Sequence, residues 1–168
     1  MSSSNGHTGK FYPASEAFDV EAFPPYWIAR LNAQYGLCME KTLKTVKMDV
    51  SRWRVAMILR VYGDLSISRI AEHAVGKLPT ITKIVYRMQD EGLVTVSTSA
   101  RDGRVSLVGL SGKGYAVVDQ VLAATQGLFE RLFSGFTEAQ IGRLNGDLQK
   151  MLDNLRDGSG TRKRSSVE

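Results

Sequence analysis

Between Pro79 and Val108 the chain carries one amphipathic helix followed at once by a short basic hairpin, a pattern that few folds accommodate. Pro79 suits the first turn of a helix, where its missing N–H costs nothing. Ile81, Ile84, Val85 and Met88 then recur at i, i+3, i+4 and i+7, a single apolar stripe that Gly92 brings to an end. Leu93–Ser97 and Val105–Val108 alternate or run β-branched, as paired strands do, and Asp102-Gly103 between them is a turn signal. With the stripe turned to a core, the far side of the helix presents Pro79, Thr82, Lys83, Tyr86, Arg87 and Asp90. Such a face fits a DNA major groove about 12 Å wide, with Thr, Lys and Arg reaching base edges and phosphates. The hairpin tip would set Arg101 and Arg104 on an adjacent minor groove or backbone.

The flanking sequence supplies the rest of a winged helix-turn-helix. Ile28, Leu31, Tyr35, Cys38, Met39 and Leu43, at spacings of three and four, predict a helix over Tyr26–Val46. Ser51 is expected to cap a second helix that holds Trp53, Met57, Leu59 and Val61 and stops at Gly63. A short third helix, Ile67–Val75, opens at Ser66 or Ser68 and stops at Gly76. Beyond the hairpin, one helix starts near Ser111 and runs through Val118, Val121, Leu128 and Phe133. Another starts at Thr137 and carries Ile141, Leu144, Leu148, Met151, Leu152 and Leu155. The first helix and the last two have wider apolar stripes than one small winged core covers. Pairing them across a two-fold axis would bury them and set two recognition helices about one DNA turn apart.

The expected fold class is therefore mainly α with a small β-hairpin wing: a winged helix-turn-helix core plus N- and C-terminal dimerisation helices. The expected boundaries are a flexible arm over 1–23, a dimerisation helix over 24–50 and the DNA-binding domain over 51–110. Two dimerisation helices over 111–157 and a disordered basic tail over 158–168 follow.

Composition narrows the function. The 168 residues are 43% hydrophobic and 23% charged, an ordinary globular balance. The longest uninterrupted apolar run, Val55–Leu59, falls far short of the roughly 20 residues a membrane span needs. A single cysteine, Cys38, excludes an intrachain disulfide and a Cys-based zinc cage. No secretory signal is visible at the start, so a cytoplasmic protein is expected. The net charge is +5, yet residues 1–25 hold Lys10 against Glu16, Asp19 and Glu21, so the body is more basic than the whole. A basic body invites an anionic partner, nucleic acid first. His7 and His73 stand in no metal-hydrolase frame, and Gly109–Gly114 misses the phosphate-loop spacing. No nucleophile–base set is apparent, so neither an enzyme nor a cofactor is expected.

The run Pro79-Thr80-Ile81-Thr82-Lys83-Ile84-Val85-Tyr86-Arg87-Met88, leading into Glu91-Gly92-Leu93-Val94, resembles the recognition helix of the MarR (multiple antibiotic resistance regulator) proteins. Asp102-Gly103-Arg104 sits where that family's wing carries D-x-R, and Leu110-Ser111-Gly112-Lys113-Gly114 resembles the opening of the helix after the wing. Asp49–Val55 resembles the entry to its second helix, and the likeness runs from about Tyr26 to Leu155. The resemblance implies a homodimer on a pseudopalindromic operator, a repressor released by a small aromatic or carboxylate ligand. It puts Arg104 in the minor groove, has Asp102 brace the wing, and carries the recognition positions onto Thr80, Thr82, Lys83 and Arg87. The chain departs from the family in having Lys77-Leu78 where a capping Ser or Asp is frequent, and Lys83 where arginine is frequent.

Effectors of similar proteins lodge between the dimerisation helices and the DNA-binding lobe. Tyr26, Trp27, Arg30, Trp53, Arg54 and Met57 lie on segments that would line that space, and an aromatic wall with an arginine suits a planar carboxylate. Two other readings stand beside the regulator. One is a small-molecule-binding protein or enzyme that uses a winged core for protein contacts. The other is a thiol-based redox sensor through Cys38, although Glu40 nearby would raise rather than lower a thiol pKa.

Overall fold

The computed structural model describes residues 9–98 and 106–158. The chain divides into two compact units, Met1–Leu128 and Phe129–Glu168. The first holds a 3-10 turn at Val20–Ala22, then α1 (Pro24–Lys44), α2 (Val50–Tyr62), β1 (Leu65–Ser66), α3 (Ile67–His73), α4 (Leu78–Asp90), β2 (Val94–Thr98) and β3 (Ser106–Leu110). α5 (Gly112–Leu132) follows, and the division between the units falls inside it. α6 (Glu138–Gly158) belongs to the second unit.

Helix starts follow local chemistry, with two shifts from the expected positions. α2 is capped by Asp49 rather than Ser51: its carboxylate accepts the Arg52 N–H at 2.9 Å and so satisfies a donor with no partner inside the helix. α3 is capped by Ser66 through the Arg69 N–H. It ends before Gly76, in a Schellman turn whose left-handed residue is Val75 (φ 51°), with Gly76 N donating to Ala71 O at 2.9 Å. Gly76 serves packing instead, since a Cβ there would lie 2.9 Å from Ile81 Cδ1. α4 ends in a second Schellman turn with Gly92 at φ 72°, and Leu93 N bonds Met88 O. α6 opens on a reciprocal box in which Thr137 and Gln140 bond each other's backbone N–H.

The three strands form an antiparallel sheet in the order β1-β3-β2, with Leu65 opposite Val108 and Val96 opposite the same residue on the other side. The two-residue β1 was not expected from sequence, because a strand this short leaves no periodicity. Core residues of the first unit are Val55 and Leu59 of α2, Ile70 of α3, Ile81, Val85 and Met88 of α4, Val108 of β3, and Val118 and Val121 of α5. Met39 and Leu43 of α1 are fully buried as well. Burying each of the larger side chains is worth roughly 1.5–3 kcal/mol, so the apolar stripe of α4 docks that helix while leaving its other side free. Arg60 of α2 lies 5.2 Å from the Tyr115 ring and 3.7 Å from Asp119, tying α2 to α5.

Residues 9–23 form turns that lead into α1. Trp27 Nε1 donates to Glu21 O at 2.7 Å, and the Phe18 and Phe23 rings meet edge-on at 5.7 Å. In the second unit α6 exposes Leu144, Leu148, Met151, Leu152 and Leu155 along one face. Trp27, Ile28, Leu31 and Leu37 of α1 are exposed too. No helix is long and apolar enough to cross a membrane among the described residues.

Two substitutions test this account. Val75 is β-branched, left-handed and 95% exposed, so Val75→Asn should raise stability by about 1 kcal/mol. At Gly114 a Cβ would meet Leu93 O at 2.1 Å. Gly114→Ala should therefore cost about 1–3 kcal/mol despite alanine's better helix propensity. Urea unfolding of both variants checks the two signs.

Candidate nucleic-acid interface

α3, the Val75-Gly76 turn and α4 make a helix-turn-helix in which α4 shows solvent the residues expected to read DNA. Pro79, Thr80, Lys83 and Arg87 are exposed and Thr82 is half-buried, while Ile81, Val85 and Met88 turn inward. Ile84, expected in the core stripe, is only half-buried and lines a cavity. Thr82 Oγ1 donates to Leu78 O at 2.8 Å, so its hydroxyl can offer a base or phosphate its lone pairs but not its proton. Lys83 is exposed and has no ion-pair partner among the described residues. Arg101, Asp102 and Arg104 lie outside the described residues, although β2 and β3 on either side pair in register from Val94–Leu110 to Thr98–Ser106.

Arg87 sits in a charged cluster that no sequence pattern indicated. Arg52, on the first turn of α2, is nearly buried. Its guanidinium donates to Asp49 Oδ2 at 2.8 Å, to Lys47 O at 3.0 Å and to Glu91 Oε2. Glu91 uses its other oxygen, Oε1, for Arg87 Nε at 3.1 Å, and Arg87 Nη1 lies 3.5 Å from Asp49 Oδ2. Lys113 at the start of α5 donates to Glu91 O at 2.7 Å. Burial pushes the Asp49 carboxyl up. The hydrogen bonds from Arg52 and the charges of Arg52 and Arg87 outweigh burial and hold it below its usual value. Arg52 is likewise held above its usual value, the bonds to Asp49 and Glu91 overcoming the burial that would lower it. Asp49 and Arg52 stand at cap spacing, a pairing the expected cap at Ser51 did not include. Glu91 is 39 residues further on than Arg52, beyond any local pattern.

Beside the cluster an open cavity of about 460 Å³ lies between the end of α1, the start of α2 and α4. Met48, Val50 and Ile84 give it apolar wall, and its polar lining mixes the cations Lys44, Arg52 and Arg87 with Thr80 and the carboxylates of Glu40 and Asp49. None of the residues expected to hold an effector lines this cavity. Tyr26, Trp27 and Arg30 cluster on the first turns of α1, with the two rings edge-on at 5.1 Å and the Arg30 guanidinium 5.2 Å from the Tyr26 ring centre. Trp53 is buried, while Arg54 is exposed and Met57 half-buried. Tyr35 feels both burial, which raises its phenol pKa, and the charge of Arg54, which lowers it in part. Cys38 is half-buried on α1, and its Sγ accepts the Gln34 amide at 3.5 Å.

Residues 49–106 match the sequence family described as the MarR family. The chain is 48% identical over 143 residues to the HTH-type transcriptional repressor IacR of Pseudomonas putida, covering 85% of this chain and 86% of that protein. The chain belongs to the MarR family. Among solved structures, a mutant MarR from E. coli complexed with operator DNA is similar at a TM-score of 0.68 and 21% identity, over 79% of this chain and 96% of that one. Bordetella bronchiseptica BpsR, whose DNA binding is regulated by 6-hydroxynicotinic acid, is similar at a TM-score of 0.66 and 22% identity, over 77% and 92%. At these identities the two structures establish the shared winged-helix fold.

The depressed carboxyl of Asp49 carries a pH prediction. Asp49→Asn retains a capping side chain but removes the charge that Arg52 and Arg87 face. A carboxyl held below its usual value adds stability that is complete above that value and is lost as pH falls through the lower, folded one. The wild-type advantage over Asp49→Asn should therefore hold at neutral pH and shrink below the usual 3.8. Urea midpoints of the two proteins, followed from neutral to acid pH, check this.

Proposed function

We propose that this MarR-family transcriptional repressor binds duplex DNA as a homodimer, with α4 in the major groove and Arg104 reaching the minor groove. The observation that carries the proposal is the two-sided character of α4: Ile81, Val85 and Met88 buried on one side, Thr80, Lys83 and Arg87 exposed on the other. The 48% identity to a repressor along most of both chains supports the same reading. Exposed apolar rows on α1 and α6 support a second copy of the chain as partner, since rows of this size are usually interaction surfaces. The boundaries 24–50 and 111–157 are assigned on that basis to dimerisation, and 51–110 to DNA.

Release by a small organic anion is the second part of the proposal. The α1–α2–α4 cavity suits it better than the six residues expected from sequence, because it is a space, and Thr80 and Arg87 of the recognition helix line it. A ligand that binds better when α4 is turned away from its groove shifts the population and lowers DNA affinity. Tyr26, Trp27 and Arg30 remain a second candidate surface for an aromatic anion. The chain is assigned to the cytoplasm and to binding rather than catalysis, as expected of a repressor.

Fluorescence anisotropy on the DNA upstream of the chain's own gene, against a scrambled duplex and across a salt series, tests the function. The expected result is preference for the upstream duplex; indifference to both duplexes at low salt would overturn it. Lys83→Ala should reduce the slope of log affinity against log salt by about 0.9, the value of one phosphate contact. Arg104→Ala should weaken the preferred duplex by about 1–3 kcal/mol, with dimerisation unchanged.

A further inference from the structure

The apolar stripe of α4 explains why the helix is attached but not why it points in one direction. A smooth row of Ile81, Val85 and Met88 can slide or roll on its neighbours, and each residue of roll re-aims Lys83 and Arg87 by a large angle. The charged cluster lies at the far end of α4, where Glu91 caps the helix. There Arg52 of α2 meets three separate acceptors, Asp49, Lys47 O and Glu91. Three acceptors on one planar guanidinium over-determine its position. Glu91, fixed through one oxygen, offers the other to Arg87, and Asp49 faces Arg87 from the opposite helix. Buried ion pairs add little net stability compared with apolar packing, and their best-attested use is to select one arrangement among several.

We infer that Arg52 is a positioning residue for DNA recognition: acting through Glu91 and Asp49, it sets the rotation of α4 on α2 and aims the Arg87 guanidinium. Arg52 itself touches no DNA. The two carboxylates, Glu91 and Asp49, hold Arg87 rather than leave it free to sample its many rotamers, so the cation meets DNA already oriented. The inference rests on the proposed DNA binding, and it adds residues at the start of α2 and the end of α4 that are not themselves groove-reading positions.

The test uses the full chain and a duplex that the wild-type protein selects from a randomised pool, with a scrambled duplex of equal length beside it. Arg52→Gln and Glu91→Gln should each weaken the selected duplex about tenfold while leaving the scrambled one and the salt slope unchanged, because neither removes a phosphate contact. In an Arg87→Ala background Arg52→Gln should cost nothing more, since the residue it aims is gone. Equal losses on both duplexes, or losses that add to that of Arg87→Ala, would mean a merely structural role and overturn the inference. If Arg52→Gln does not fold, Glu91→Gln decides, because it leaves the bonds of Arg52 to Asp49 and Lys47 in place. A wild-type protein that enriches no sequence defeats the proposed function itself. Enrichment with both variants unaffected defeats only this inference.

Discussion

A guanidinium placed between two helices and faced by two carboxylates organises the DNA-binding unit. Arg52 rises from the first turn of α2, where Asp49 both caps the helix and receives its charge, and reaches the residue that closes α4. The α1–α2 loop is held by the same group through Lys47 O. One side chain therefore joins the entry to α2, the exit from α4 and, through Glu91, an exposed cation of α4. Around this point the apolar core supplies the attractive energy and the cluster supplies direction.

The functional side of α4 is shaped by what its residues are already doing. Thr82 donates its proton to its own helix, and Arg87 is engaged by Asp49 and Glu91. Lys83 has no such engagement among the described residues. A face that looks uniform in sequence is thus graded, from a free point charge to an oriented fork. The cavity beside it brings Thr80, Ile84 and Arg87 into one space with Lys44 and Met48, so a ligand there would touch the reading helix without any relay.

Much of the fold was legible because its signals are local. The spacing of Ile81, Val85 and Met88, the turn at Gly92 and the alternation of β2 and β3 are each read within a few residues, and α1, α2, α3 and α4 all fall within a few residues of their expected spans. Where the reading missed, a competing local interaction or a distant partner was responsible. Asp49 outbids Ser51 as cap because its carboxylate serves the Arg52 backbone and side chain together. Val75 takes the left-handed position expected of a glycine because Gly76 is needed for contact with Ile81.

The sequence by itself determined the helix-turn-helix order, the buried stripe of α4, the polar residues opposite it and the likeness to the MarR family. Periodicity and turn chemistry act over one or two turns of chain, and one chain suffices to display them. Only the tertiary structure decided that Arg52, Asp49, Glu91 and Arg87 form one cluster and that a cavity opens beside them. Those residues are joined by ion pairs across as many as 39 positions. Such pairs follow from how α2 and α4 cross, a geometry that no local pattern encodes.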